Sequence, residues 1–104
     1  MKDIQGMLRQ AQALQAKMTA LQDELKTREL IGTAGSGRVK ITMNGGHEVT
    51  AISIDPDVVQ PGESDLIEDL VLAAFRDARA KVSRMIEEEM GRLTGGMGFP
   101  PGLR

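Results

Sequence analysis

The only histidine of the chain, His47, stands directly behind two glycines in the stretch MNGGHEV, residues 43–49. Glycines beside a histidine suggest either a phosphate-cradling loop or a general base. A phosphate loop gathers backbone N–H groups at a helix N-terminus, as in patterns ending GK[ST] or in GxGxxG between strand and helix. These glycines lead instead into a β-branched run. A general base needs a nucleophile within reach and a carboxylate of evident orienting geometry, and a metal site would need a second histidine; none of these accompanies His47. It reads as a surface histidine flanking a turn. The run Glu87-Glu88-Glu89 reads as a solvated helix face, because consecutive helical positions point in different directions. No catalytic residue, metal ligand or cofactor is expected, and the chain is not read as an enzyme.

Two basic constellations remain. Lys2, Gln5, Arg9 and Gln12 step by three, four and three, forming one stripe if the segment is helical; cations on it would neutralise phosphates and amides could reach base edges. Arg76, Arg79 and Arg84 fan out from a second helical segment. The formal charge of −2 removes the bulk electrostatic footprint of a nucleic-acid binder, so contact must come from such patches. With only Phe75 and Phe99 as aromatics, stacking platforms for single strands cannot be built. A duplex is the nucleic acid these stripes fit, bound modestly and in a salt-sensitive way.

The positioning elements follow from periodicity. A chain of 104 residues holds one domain's core, and without cysteine packing alone must hold it. The polar opening MKDIQGMLRQAQALQ fits neither a signal peptide nor a membrane span, so a soluble cytoplasmic protein is expected. Ile4, Met7, Ala11, Leu14, Met18, Leu21 and Leu25 keep a heptad seam. A helix over 3–27 would extend about 38 Å, whereas a compact globule of this length is roughly 33 Å across. The rod must overhang its body or lie against a second chain, with Met7, Leu14, Met18 and Leu21 as the expected dimer contacts. Residues 29–34 fit a short edge strand, and GRVKITMN and HEVTAISID alternate as two further strands. A two-residue Asn-Gly or Gly-Gly turn between them would put Ile52 and Ile54 on the face of Val39, Ile41 and Met43. The same register would put Val49 and Ala51 with Arg38 and Lys40. Asp55-Pro56 starts a loop, Ser64 or Asp65 can cap a second helix, and Ile67, Leu70, Val71, Ala74, Phe75, Ala78, Val82, Met85 and Ile86 give that helix a broad sheet-covering face. From Thr94 glycines and prolines should end it, leaving a domain at 1–93 and a flexible tail at 94–104.

The hairpin GRVKITMNGGHEVTAISIDPDVV, the helix start LIEDLVLAAFRDARAKV, the opening MLRQAQALQAKM and the Gly/Pro tail together resemble the YbaB/EbfC family of bacterial nucleoid-associated proteins. The likeness runs in order along nearly the whole chain. It implies an α+β fold of α-β-β-β-α subunits, with a small antiparallel sheet flanked by two long helices. It further implies a homodimer whose helices project like tweezers from a central sheet, binding double-stranded DNA and altering its shape. Roles in nucleoid organisation, DNA protection and gene regulation would follow, without a membrane or small-molecule substrate. The alternative from another class is a prefoldin-like holding scaffold that grips non-native protein and ignores DNA.

Overall fold

Alternating apolar residues in three short segments build an antiparallel sheet in the order β1-β2-β3, from Glu29–Ala34, Val39–Asn44 and Val49–Ile54. Long helices precede and follow it, α1 over Lys2–Lys26 and α2 over Ser64–Gly95. The computed structural model describes residues 2–95, with Lys2 by its backbone alone; the expected tail therefore lies outside the described residues from position 96. The α+β class and the α-β-β-β-α order are as expected, including the edge strand at 29–34.

The core is one sheet face against one helix face. Val39, Ile41 and Met43 of β2 are buried with Ala74, Ala78 and Val82 of α2, each large aliphatic contributing about 1.5–3 kcal/mol by leaving water. Gly32 sets where the helix lies. A Cβ there would fall inside van der Waals contact of the Ala78 amide and the Ala74 carbonyl, so α2 backbone rests directly on β1. The small residues Ala74 and Ala78 permit the same approach from the helix side. In consequence α2 covers β1 and β2, and β3 is left largely uncovered, with Ile52 55% exposed.

Side chains of α2 also close the outer edge of β1. The Asp77 carboxylate accepts the Thr33 N–H at 2.9 Å, the Lys81 ammonium donates to the Ile31 carbonyl at 2.9 Å, and the two pair with each other at 3.0 Å. A free strand edge is a template for further pairing, and here two of its outward groups are occupied. On β3, the Asp55 N–H donates to the Arg38 carbonyl, so by alternation Ile54 and Ile52 turn their backbone groups outward. Among the described residues no side chain caps these.

Several local expectations are corrected. The β2–β3 loop has three residues, Gly45 to His47, closed by the Asn44 N–H to the Glu48 carbonyl at 3.0 Å. His47, with φ 61°, occupies the left-handed position after the turn. Such a loop inverts the parity expected from a two-residue turn, and a register shift between Thr42 and Met43 restores it. Ile52 and Ile54 therefore do face inward opposite Ile41 and Val39, but Val49 pairs with Met43 and joins that face too. Helix α2 begins at Ser64, and the Glu63 carbonyl accepts the Ile67 N–H at 3.1 Å; Glu63 is thus the capping position, ahead of both expected caps, Ser64 and Asp65. At its other end α2 passes Thr94, whose hydroxyl donates to the Met90 carbonyl at 3.0 Å. The loop after β3 contains a short 3-10 turn at Pro56–Val58, capped by the Asp55 side chain.

Replacing Gly32 with Ala should destabilise the fold by about 1–3 kcal/mol through forced displacement of α2; an unchanged urea midpoint would contradict the close approach. The Thr33 N–H and then the Lys81 ammonium hold the Asp77 carboxyl below its ordinary value. That stabilisation is complete above the unfolded pKa near 3.9 and is lost as pH falls through the lower native value. Asp77→Asn should flatten the urea midpoint's decline in that acid window, and a decline as steep as that of the parent protein would argue against it.

Candidate nucleic-acid interface

Helix α1 is an arm seated on the β2–β3 turn. Gly45 donates its N–H to the Leu25 and Arg28 carbonyls at 3.0 and 3.1 Å, occupying acceptors that a helix C-terminus otherwise leaves open. A Cβ at Gly45 would collide with the Leu25 carbonyl. The turn keeps its shape through Asn44, the one buried polar residue among those described, whose Oδ1 accepts the Gly46 and Glu48 N–H groups at 2.8 and 3.1 Å. Of the two glycines beside His47, Gly45 thus serves the docking of α1 and Gly46 the turn held by Asn44. Among the described residues no group of three or more His, Cys, Asp or Glu side chains is placed to hold a metal ion.

From that seat α1 runs outward, giving the molecule extents of 73 × 26 × 16 Å and a radius of gyration of 19.8 Å, against about 13 Å for a compact domain of this length. The overhang expected from the helix length is present. Leu25 is buried and Leu21, Met18 and Leu14 are half-buried along the seam, while Met7 is 66% exposed and its neighbours Ile4 and Leu8 are exposed too. Of the expected dimer contacts, then, only Met7 is bare within one chain; Leu14, Met18 and Leu21 are partly covered within the subunit.

Opposite the seam, Gln5, Arg9 and Gln12 are all exposed, and Lys2 starts the same helix with its side chain outside the described residues. Arg9 lies about 24 Å along the axis from Leu25 at 1.5 Å per residue. Arg76, Arg79 and Arg84 are exposed on α2, where that helix crosses the sheet. The fold therefore keeps the two basic sets apart. Nor do the α2 cations share a stripe: at about 100° per residue Arg79 is roughly 60° round from Arg76, and Arg84 roughly 140° from Arg79. Among the described residues, Arg9, Arg76, Arg79 and Arg84 have no carboxylate within ion-pair distance, whereas Arg28, Lys81 and Arg92 are paired. Unpaired cations offer their charge to a polyanion without first breaking an internal bridge. Two further cations, Arg38 and Lys40, are not among the expected site residues, yet they stand exposed on the sheet face turned away from α2; their alternation with Val39 and Ile41 is the signal in the sequence that points to them.

The other open feature is a groove of roughly 540 Å³ between α2 and β3, floored by Val49 and Ile52 and walled by Val71, Leu72 and Phe75. Periodicity alone assigns most of these residues to a core. Only the position of α2 over β1 and β2 leaves them facing outward.

Residues 1–97 match the YbaB/EbfC DNA-binding family. The chain belongs to that family. Membership in YbaB/EbfC places it among DNA-binding proteins and not among enzymes. A nucleoid-associated protein of Rhodospirillum rubrum is 47% identical over 103 residues, covering 99% of this chain and 96% of the relative. Another, from Nitrobacter hamburgensis, is 50% identical over 103 residues, covering 99% and 97%. An uncharacterised protein of Helicobacter pylori, known from its crystal structure, shares the fold with a TM-score of 0.63 at 20% identity, over 84% of this chain and 96% of that one. No helix among the described residues is long and apolar enough to cross a membrane.

Proposed function

We propose that this chain is a nucleoid-associated protein that binds double-stranded DNA as a homodimer and changes the conformation of the duplex. Family membership over almost the full length carries the reading, and the relatives from Rhodospirillum and Nitrobacter bear the nucleoid-associated name. The geometry agrees with it in two respects. Among the described residues Arg9 stands unpaired on an arm that projects from the body, and an apolar face beside β3 remains for a second copy. Exposed contiguous apolar surface of this kind commonly marks an interaction site.

In this reading Arg9 of α1, with Lys2, and Arg76 and Arg84 of α2 neutralise phosphates, while Gln5 and Gln12 reach toward groove edges. The basic sets of one subunit are separated and sparse, so one chain alone grips weakly. Two chains joined at a fixed spacing raise the effective concentration of the second set once the first is bound. Backbone contacts by few cations give largely sequence-indifferent affinity, and preference for particular sites comes from duplex deformability. Organisation and protection of the nucleoid, with effects on gene expression, are the cellular consequences.

Arg9→Ala and Arg76→Ala should each weaken binding to unrelated duplexes by a similar factor. They should also flatten the dependence of log affinity on log salt by about 0.9 for every phosphate that is no longer neutralised. Fluorescence titrations at several salt concentrations read both effects; an unaltered slope in either variant would remove that residue from the interface.

A further inference from the structure

Helix α2 carries along the rim of the open groove the residues Glu68, Leu72, Phe75 and Arg79, spaced by four, three and four, which places them on one stripe of the helix. Glu68, Leu72 and Phe75 line the groove directly, and Leu72 is 47% exposed. Arg79 continues the stripe one turn beyond Phe75. The two charges at its ends are without local partners. Positions three and four away from Glu68 hold Ser64, Asp65, Val71 and Leu72, and those around Arg79 hold Phe75, Arg76, Val82 and Ser83. Neither residue enters an ion pair among the described residues.

We infer that this stripe is the subunit interface, with α2 of a second copy packed antiparallel beside it about a two-fold axis passing between Leu72 and Phe75. The inference rests on the homodimer reading and specifies how that dimer is held. Reading the stripe in one direction gives acid, aliphatic, aromatic, base, and reversing it places each residue opposite its complement. Glu68 meets Arg79 of the partner subunit, and Leu72 meets Phe75 of the partner subunit. A parallel pairing would set Glu68 against its own copy and Arg79 against its own. Only the antiparallel arrangement is both two-fold symmetric, as an isologous contact requires, and complementary in charge. Helices in contact lie 8–10 Å apart, so the partner's helix comes over the groove and covers Val49, Ile52 and Val71 together with Leu72 and Phe75. The opposite flank of the subunit is unsuited to this role, since Asp77 and Lys81 are already engaged with the outer edge of β1. A second copy is therefore the occupant that the order of charges selects, and Arg79 serves the subunit contact and not the phosphate backbone.

The test exchanges the two charges in the full-length chain. Glu68→Arg and Arg79→Glu each place like charges opposite one another at both ends of the stripe, and each should raise the dimer dissociation constant about tenfold, since opposed like charges disfavour association. The double exchange restores opposite charges and should return the constant to within a few-fold of the parent. An equimolar mixture of the two single variants should form heterodimers well above the statistical half, because every contact in the heterodimer is complementary. Sedimentation analysis reads the constants, native mass spectrometry the mixture, and circular dichroism confirms that each variant folds. A dimeric parent whose single variants associate unchanged, or whose mixture is statistical, overturns this arrangement while leaving the homodimer standing. A parent that is monomeric at micromolar concentration overturns both.

Discussion

The absence of a side chain at Gly32 decides the form of the whole subunit. Because the α2 backbone can touch β1 there, and because Ala74 and Ala78 are small enough to meet it, the helix lies over the first two strands instead of centring on all three. The apolar side chains beside β3 are consequently covered only in part within the subunit. Val49, Ile52 and Leu72 have the side chains of a core and the surroundings of a surface, while Phe75 is half-buried between the two. The groove is therefore the other side of an off-centre contact, and has the same cause as the burial of Val39, Ile41 and Met43.

Periodicity reveals the elements because each has one strongly amphipathic face, which the spacing of Leu14, Met18, Leu21 and Leu25 or of Val39, Ile41 and Met43 reports independently of what covers it. It does not reveal which apolar face is satisfied within the subunit, since Ile41 and Ile52 look alike in sequence and differ only in where α2 crosses. The hairpin loop is hidden for another reason. Asn-Gly and Gly-Gly both supply positive φ angles, so local propensity favours a glycine in the strained position, yet His47 takes it while Gly45 is kept bare for the approach of Leu25. A contact between segments twenty residues apart decides that choice, and local propensity does not contain it. The basic stripe of α1 is legible as a stripe; that its cation is unpaired, and that it stands far from the arginines of α2, follows only from the fold.

Charge on this protein is arranged locally against a slightly negative whole. Arg28 and Arg92 converge on Glu89 at 3.4 and 2.9 Å and help fix the region where α1 leaves the body, while Lys81 is committed to a strand edge. The cations left for a partner are those outside these structural pairs. In the proposed dimer they are further divided, Arg79 joining subunits and Arg9, Arg76 and Arg84 facing the duplex. Few contacts per chain then make occupancy depend on assembly and on ionic strength.

The plugging of the β1 edge by Asp77 and Lys81 sets a limit on growth. With two outward groups of β1 occupied by its own helix, the uncapped edge of β3 is the strand edge left open to a neighbour. In the proposed dimer, strand-by-strand growth is thereby confined to the β3 side of each subunit.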